Sequence, residues 1–172
     1  LNCPDFSLAI DQGISIAALR YFESATVAGL VRELSGCGVP GTGQALGPPL
    51  SNSAAEEWIL AWRSPTETLV LSTDSAALVT LEARLADASD ACFVDQTGGI
   101  WVLRLTGARV HDVLLRLGHT TAIPGVGQAL TSRLAELTVT AVCVQEREIL
   151  LLVDRLYADH LLGWIRETIA DF

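Results

Sequence analysis

Two pairs of charged residues stand out by their spacing. Asp11 and Asp95 lie 84 residues apart, and so do Arg20 and Arg104. Each acid precedes an apolar strand-like run and each arginine lies near the end of one. A carboxylate and a guanidinium so placed can clamp a polar ligand or partner group, or can bond each other. The simpler reading is an internal ion pair or strand-end hydrogen bonds. In the functional reading one copy, Asp95 and Arg104, meets a ligand or partner.

Trp58, Trp62 and Trp101 are further candidates for partner contact, because tryptophan is enriched at interface hot spots. Trp58 and Trp62 are four apart in a strand-like run and share a face with Leu60; core packing is the competing role. Other chemistry is weakly signalled. Gly36-Cys37-Gly38-Val39-Pro40-Gly41 spells G-x-G-x-x-G, but it follows a helical pattern and opens no helix, so no helix N-terminus would face a phosphate. His111 and Asp112 are neighbours on a helix, so their side chains diverge and form no relay. His119 follows Gly118 at a helix end, where an imidazole can cap carbonyls. Cys3, Cys37, Cys92 and Cys143 lack C-x-x-C spacing, and the three histidines do not complete a metal set with them. Cys92 and Cys143 read as small core residues in apolar strands. No catalytic, cofactor-binding or metal-ligating residue is therefore expected in this chain.

The elements that must position these residues are written twice. Val39-Pro40-Gly41-Thr42-Gly43-Gln44-Ala45-Leu46 returns as Ile123-Pro124-Gly125-Val126-Gly127-Gln128-Ala129-Leu130, and residues 9–46 share 13 identities in 38 positions with the segment 84 residues later. In the first copy, residues 13–21 read as a strand and Val27, Leu30, Val31 and Leu34 have helical spacing. Gly36 is the stop, and residues 35–55 form a long loop that includes Pro48 and Pro49. Strands follow at Glu57–Arg63 and Thr68–Ser72 around a turn at Pro65. A helix capped by Thr73 or Asp74 then buries Ala77, Leu78, Leu81 and Leu85. The second copy repeats this with strands at Cys92–Asp95 and Ile100–Leu105. Its first helix carries Val110, Val113, Leu114 and Leu117. A hairpin of residues 129–144 and 148–153 follows. The last helix has a stripe of Ala158, Leu161, Leu162, Ile165, Ile169 and Phe172. The expectation is an α+β fold: two duplicated β-α-β-β-α units packed about a pseudo-twofold with mostly antiparallel sheets. They would make a single domain over residues 1–172, the first repeat spanning 1–88 and the second 91–172, with neither half folding well alone.

Composition bounds the partners. The 172 residues carry a net charge of −9, and all 11 basic residues are arginine. That balance argues against nucleic acid, which needs a basic footprint. Half of the residues are hydrophobic and mean hydropathy is +0.40. Yet no apolar run reaches the roughly 18 residues of a membrane span. The first twelve residues carry Asp5 and Asp11 and no basic start, unlike a signal peptide. Such a chain is expected in the cytoplasm, with no membrane, and its surplus of apolar residues fits either a well-filled core or a surface covered by a partner.

Phe93-Val94-Asp95-Gln96-Thr97, followed by Val102-Leu103-Arg104-Leu105-Thr106-Gly107-Ala108-Arg109-Val110-His111-Asp112-Val113-Leu114, resembles the strand–Ser/Thr-Gly–helix signature of the glycine-cleavage T-protein superfamily. Glu57-Trp58-Ile59-Leu60 with Leu69-Val70-Leu71, and Ile149–Asp154 with the helix running to Phe172, fit it too. At this length, and ending on this helix, the chain resembles the sarcosine oxidase gamma subunit family. The resemblance implies a T-protein-like fold and a non-catalytic, cofactor-free subunit of a heterotetrameric oxidoreductase complex in one-carbon metabolism. Such a complex oxidatively demethylates sarcosine or a related N-methyl amine. Its large flavin-bearing subunits hold FAD, FMN and NAD and pass the one-carbon unit to tetrahydrofolate. Two alternatives stand beside it. Tandem β-α-β-β-α units also suit a small-molecule, amino-acid-sensing domain. A stand-alone folate-binding one-carbon protein would need an acid near the pterin, for which Asp95 is the candidate.

Overall fold

Strand formation follows the runs of β-branched and aliphatic residues, and helices follow the 3.6-residue stripes. The computed structural model describes residues 2–3, 5–21, 25–48, 58–118 and 123–172; Pro49, Glu57 and His119 lie outside them. The chain divides into two compact units. One comprises Gly13–Thr97; the other combines Leu1–Gln12 with Gly98–Phe172.

The Gly13–Thr97 unit contains β3 (Ser15–Tyr21), α1 (Ala25–Ser35), β4 (Ala45–Leu46), β5 (Trp58–Ser64), β6 (Glu67–Ser72), α2 (Ser75–Leu85) and β7 (Ala91–Asp95). Its five-stranded sheet has the order β4-β5-β6-β3-β7, antiparallel at every pairing. One face carries Ala17, Leu19, Trp58, Leu60 and Val70 into a core closed by Val27 and Val31 of α1 and by Ala77, Leu78, Leu81 and Leu85 of α2. Asp74 starts α2 by accepting a hydrogen bond from the Ala76 N–H at 2.9 Å. That bond satisfies a donor the helix cannot.

The other unit contains β1 (Asn2–Cys3), β2 (Phe6–Asp11), β8 (Ile100–Thr106), α3 (Val110–Arg116), β9 (Gln128–Leu134), β10 (Leu137–Gln145), β11 (Glu148–Asp154), a 3₁₀ turn (Arg155–Tyr157) and α4 (Ala158–Ala170). Its sheet runs β1-β2-β8-β11-β10-β9, again antiparallel throughout. Strand β11 is buried from Glu148 to Val153, on both faces. Each of its leucines removes a full side chain from water, a contribution of about 1.5–3 kcal/mol. Helix α4 covers the sheet with Leu161, Leu162, Ile165 and Ile169. These positions are 84 residues beyond the buried Ala77, Leu78, Leu81 and Leu85 of α2.

The strand orders correspond element by element, β4-β5-β6-β3 matching β9-β10-β11-β8. The outer neighbours are exchanged: β7 pairs with β3, and β2 pairs with β8. The two copies of the P-G-x-G-Q motif make the same turn. Gln44 Oε1 accepts from the Gly41 N–H and Gln128 Oε1 from the Gly125 N–H, each at 2.9 Å. The Gln backbone N–H returns to the Gly carbonyl in both. The G-x-G-x-x-G letters thus run into a self-closed turn.

Four local readings need correction. Strand β2 precedes the strand read at residues 13–21, in a stretch of the first repeat to which no element was assigned. Residues 129–144 are two strands, not one, because Ala135 and Glu136 both take positive φ (47° and 66°) and reverse the chain. Cys143 is buried, and burial pushes its thiol up from the ordinary value. Cys92 is exposed instead, because β7 is the outermost strand of its sheet. Phe172 is not on the buried stripe of α4; it follows the helix and is 37% exposed.

Candidate functional site

Sheet pairing decides what the duplicated charges do. Arg104 lies on β8 between β2 and β11, so its guanidinium reaches acids on both neighbours. Its Nε–H donates to Asp11 Oδ2 and its Nη1–H to Glu148 Oε1, both at 2.6 Å. Gln145 Nε2–H donates to the other oxygen, Glu148 Oε2. The Glu148 side chain is only 8% exposed and Arg104 20%. Charge-assisted bonds of this length are strong, and the burial makes their geometry matter.

In the other sheet Arg20 takes the corresponding place on β3. Its Nε–H donates to Glu67 Oε2 at 2.6 Å, and Arg63 reaches Glu67 Oε1 at 2.9 Å. The hydrogen bond and charge of Glu67 push the Arg20 guanidinium up from its ordinary pKa. Arg20 is more than half exposed, so water screens that pair. Asp95 does not mirror Asp11. It ends β7, where its Oδ1 accepts from the Thr97 N–H at 2.8 Å. Thr97 in turn accepts through Oγ1 from the Ile16 N–H at 3.0 Å, tying the strand end down.

The other candidates are dispersed. Trp58, Trp62 and Asp95 belong to the Gly13–Thr97 unit, and Trp101 and Arg104 to the other. Trp101 and Arg104 are three apart on β8 and lie on opposite faces. Trp101 packs half-buried on the helix-side core, and Trp62 is half-buried on β5. Trp58 is 6% exposed, and its buried Nε1–H has no acceptor among the described residues. It borders a small cavity of about 140 Å³ shared with Leu34, Asp74, Ala77 and Thr80. Because that N–H gains nothing, Trp58→Phe is expected to change stability by less than about 1 kcal/mol, since it removes an unsatisfied donor at modest cost in volume. A loss above about 3 kcal/mol in urea titration would show that the indole nitrogen has a partner.

The glutamates that hold the arginines, Glu67 and Glu148, escaped the sequence reading. Their signal is that each opens the second strand of a hairpin whose interior is otherwise apolar. Among the described residues, no group of three or more His, Cys, Asp or Glu could hold a metal ion, and no helix is long and apolar enough to cross a membrane.

Comparison with known proteins places this geometry. The chain is similar to a chain of the heterotetrameric sarcosine oxidase from Corynebacterium sp. U-96 in complex with pyrrole 2-carboxylate, with a TM-score of 0.85 at 21% identity over 97% of this chain and 85% of that one. It is also similar to the glycine cleavage system aminomethyltransferase T from Bartonella henselae, with a TM-score of 0.70 at 13% identity, covering 94% of this chain and 45% of that one. Both likenesses concern the fold: antiparallel sheets covered by helices, as in T-protein. No curated protein sequence matches. The model of the sarcosine oxidase gamma subunit family matches residues 40–171, most of the chain, from the first P-G-x-G-Q turn through α4. The chain belongs to the sarcosine oxidase gamma subunit family.

Proposed function

We propose that this chain is the non-catalytic gamma subunit of a heterotetrameric flavoenzyme that oxidatively demethylates sarcosine or a related N-methyl amine. The family match over residues 40–171 carries the reading. The placement of the charged candidates supports it. Arg104 donates to both Asp11 and Glu148, and Asp95 secures its own strand end. These groups serve the fold. The large subunits would hold FAD, FMN and NAD and deliver the one-carbon unit to tetrahydrofolate, in the cytoplasm. Trp62 and Trp101, both half-buried, are the tryptophans of the original set left to meet those subunits.

The test is to recover the tagged chain from its native cell extract and record the mass spectrum and visible absorption of the eluate. Co-elution with large yellow subunits is expected. A colourless eluate holding only this chain, or stoichiometric flavin on the chain by itself, would overturn the proposal.

A further inference from the structure

The outer face of α3 and α4 carries two adjoining open clefts, of about 550 and 400 Å³. Arg116 borders both. On one side lie Arg133, His160 and Trp164; on the other lie Arg109, Leu115 and Phe172. Three large apolar side chains remain in water here: Leu115 is 58% exposed, Trp164 49% and Phe172 37%. Trp164 is held edge-on to His160 and donates its Nε1–H to His160 Nε2 at 3.1 Å, so the indole is oriented without being covered.

The charges are unusual for so acidic a chain. Arg109 and Arg116 both sit over the Phe172 ring, 4.9 and 4.1 Å from its centroid. Neither makes an ion pair among the described residues, although Asp112 borders the same cleft. Among the described residues Arg133 pairs with Glu136, which borders the same cleft, at an exposed site where such a pair contributes little. Two guanidinium groups on one ring repel each other unless an anion lies between them or over them.

The fold does not require these residues. Helix α2 buries the same positions as α4, 84 residues earlier, yet it has Ala76 where α4 has His160 and Thr80 where α4 has Trp164. Beyond the helices, Ala88 stands where Phe172 does. One copy meets the packing requirement with small side chains; the other adds aromatic and basic ones on the outward side.

Building on the gamma-subunit reading, we propose that this cleft pair receives an acidic segment of a large subunit, with an aromatic or aliphatic side chain seated beside Trp164 or Phe172. Arginine and tryptophan are the residue types that dominate interface energetics. An arginine cluster on a chain of net charge −9 also fixes which face an acidic partner can approach. A second copy joined through this same face would set Arg109 and Arg116 against their own images, which disfavours a twofold dimer here.

The complex assembled in the native host tests this. Chains carrying Arg109→Glu with Arg116→Glu, Trp164→Ala, or the control Arg166→Glu are recovered under stepped salt, and large subunit and flavin absorbance are measured per tagged chain. The double charge reversal should reduce retention at least about tenfold, and Trp164→Ala about fivefold or more, with wild-type circular dichroism. Arg166→Glu, on α4 outside the cleft, should stay within about twofold. Photo-crosslinking from position 115 should mark an acid-rich segment. Wild-type retention in both cleft variants would overturn the docking proposal and leave the subunit reading intact. Failure of the wild-type chain to retain large subunits would overturn both. Self-association abolished by the double variant would assign the cleft to a second copy and overturn the proposal.

Discussion

Replacing Arg104 by methionine should cost about 3–5 kcal/mol of stability, the range found when one member of a buried ion network is removed. The loss comes less from the missing attraction than from what is left behind. Glu148 is 8% exposed and, among the described residues, keeps the Gln145 amide; Asp11 loses the guanidinium it accepts from. Two carboxylates then face each other across β8 without a cation. If that account is right, the double variant Arg104→Met with Glu148→Gln recovers much of the loss, because the more deeply buried charge is gone. Arg20→Met is the contrast. Its side chain is 58% exposed, and Glu67 retains Arg63, so a change below about 1 kcal/mol is expected. Urea denaturation of the four proteins decides it. Equal losses at Arg104 and Arg20 would mean that burial does not govern the network.

That contrast could not be drawn from the sequence, in which Arg20 and Arg104 are identical residues in matching context. What separates them is which strand arrives on the far side. Arg104 meets Asp11 because β2 pairs with β8, a contact across more than ninety residues. Arg20 has β7 as its neighbour, and Asp95 there is spent on Thr97. Hydrophobic period reports which face of an element is buried, and so the stripe of α2 and that of α4 as far as Ile169 were legible, while residue type narrowed the α2 cap to Thr73 or Asp74. Period carries no information about distant strand partners. The Ala135–Glu136 reversal was hidden for a related reason: positive φ at two consecutive positions is ordinarily marked by Asn or Gly, and neither is present. The outward cleft of α3 and α4 escaped because Arg109, Arg116 and Phe172 belong to no single element's pattern. Only the packed structure brings them onto one ring.

Gly107→Ala is expected to be strongly destabilising. Gly107 has φ +121°, a conformation L side chains rarely adopt, and a Cβ there would lie 2.2 Å from the Asp5 carbonyl oxygen. Neither neighbour can yield cheaply. The Asp5 carbonyl accepts from the Arg109 N–H at 3.1 Å, which leads into α3, and the Gly107 N–H donates to the Arg147 carbonyl at 2.9 Å. Moving the Asp5 backbone would pull on β2, where Phe6 is buried and pairing with β8 begins at Ser7. Backbone strain and the displaced contact together should cost at least about 3 kcal/mol, which for a chain of this size lowers Tm by roughly 6–12 °C. Two other glycines separate the causes. Gly98 has φ +81° but open space around its Cβ position, so Gly98→Ala should carry only the conformational penalty, about 1–2 kcal/mol. Gly163 lies inside α4 with nothing within 4 Å, and Gly163→Ala should stabilise by about 0.5–1 kcal/mol through helix propensity. Thermal melts that rank Gly107→Ala no worse than Gly98→Ala would show that the Asp5 backbone can move aside. The close passage of β2 past the start of α3 would then not be a fixed feature of the fold.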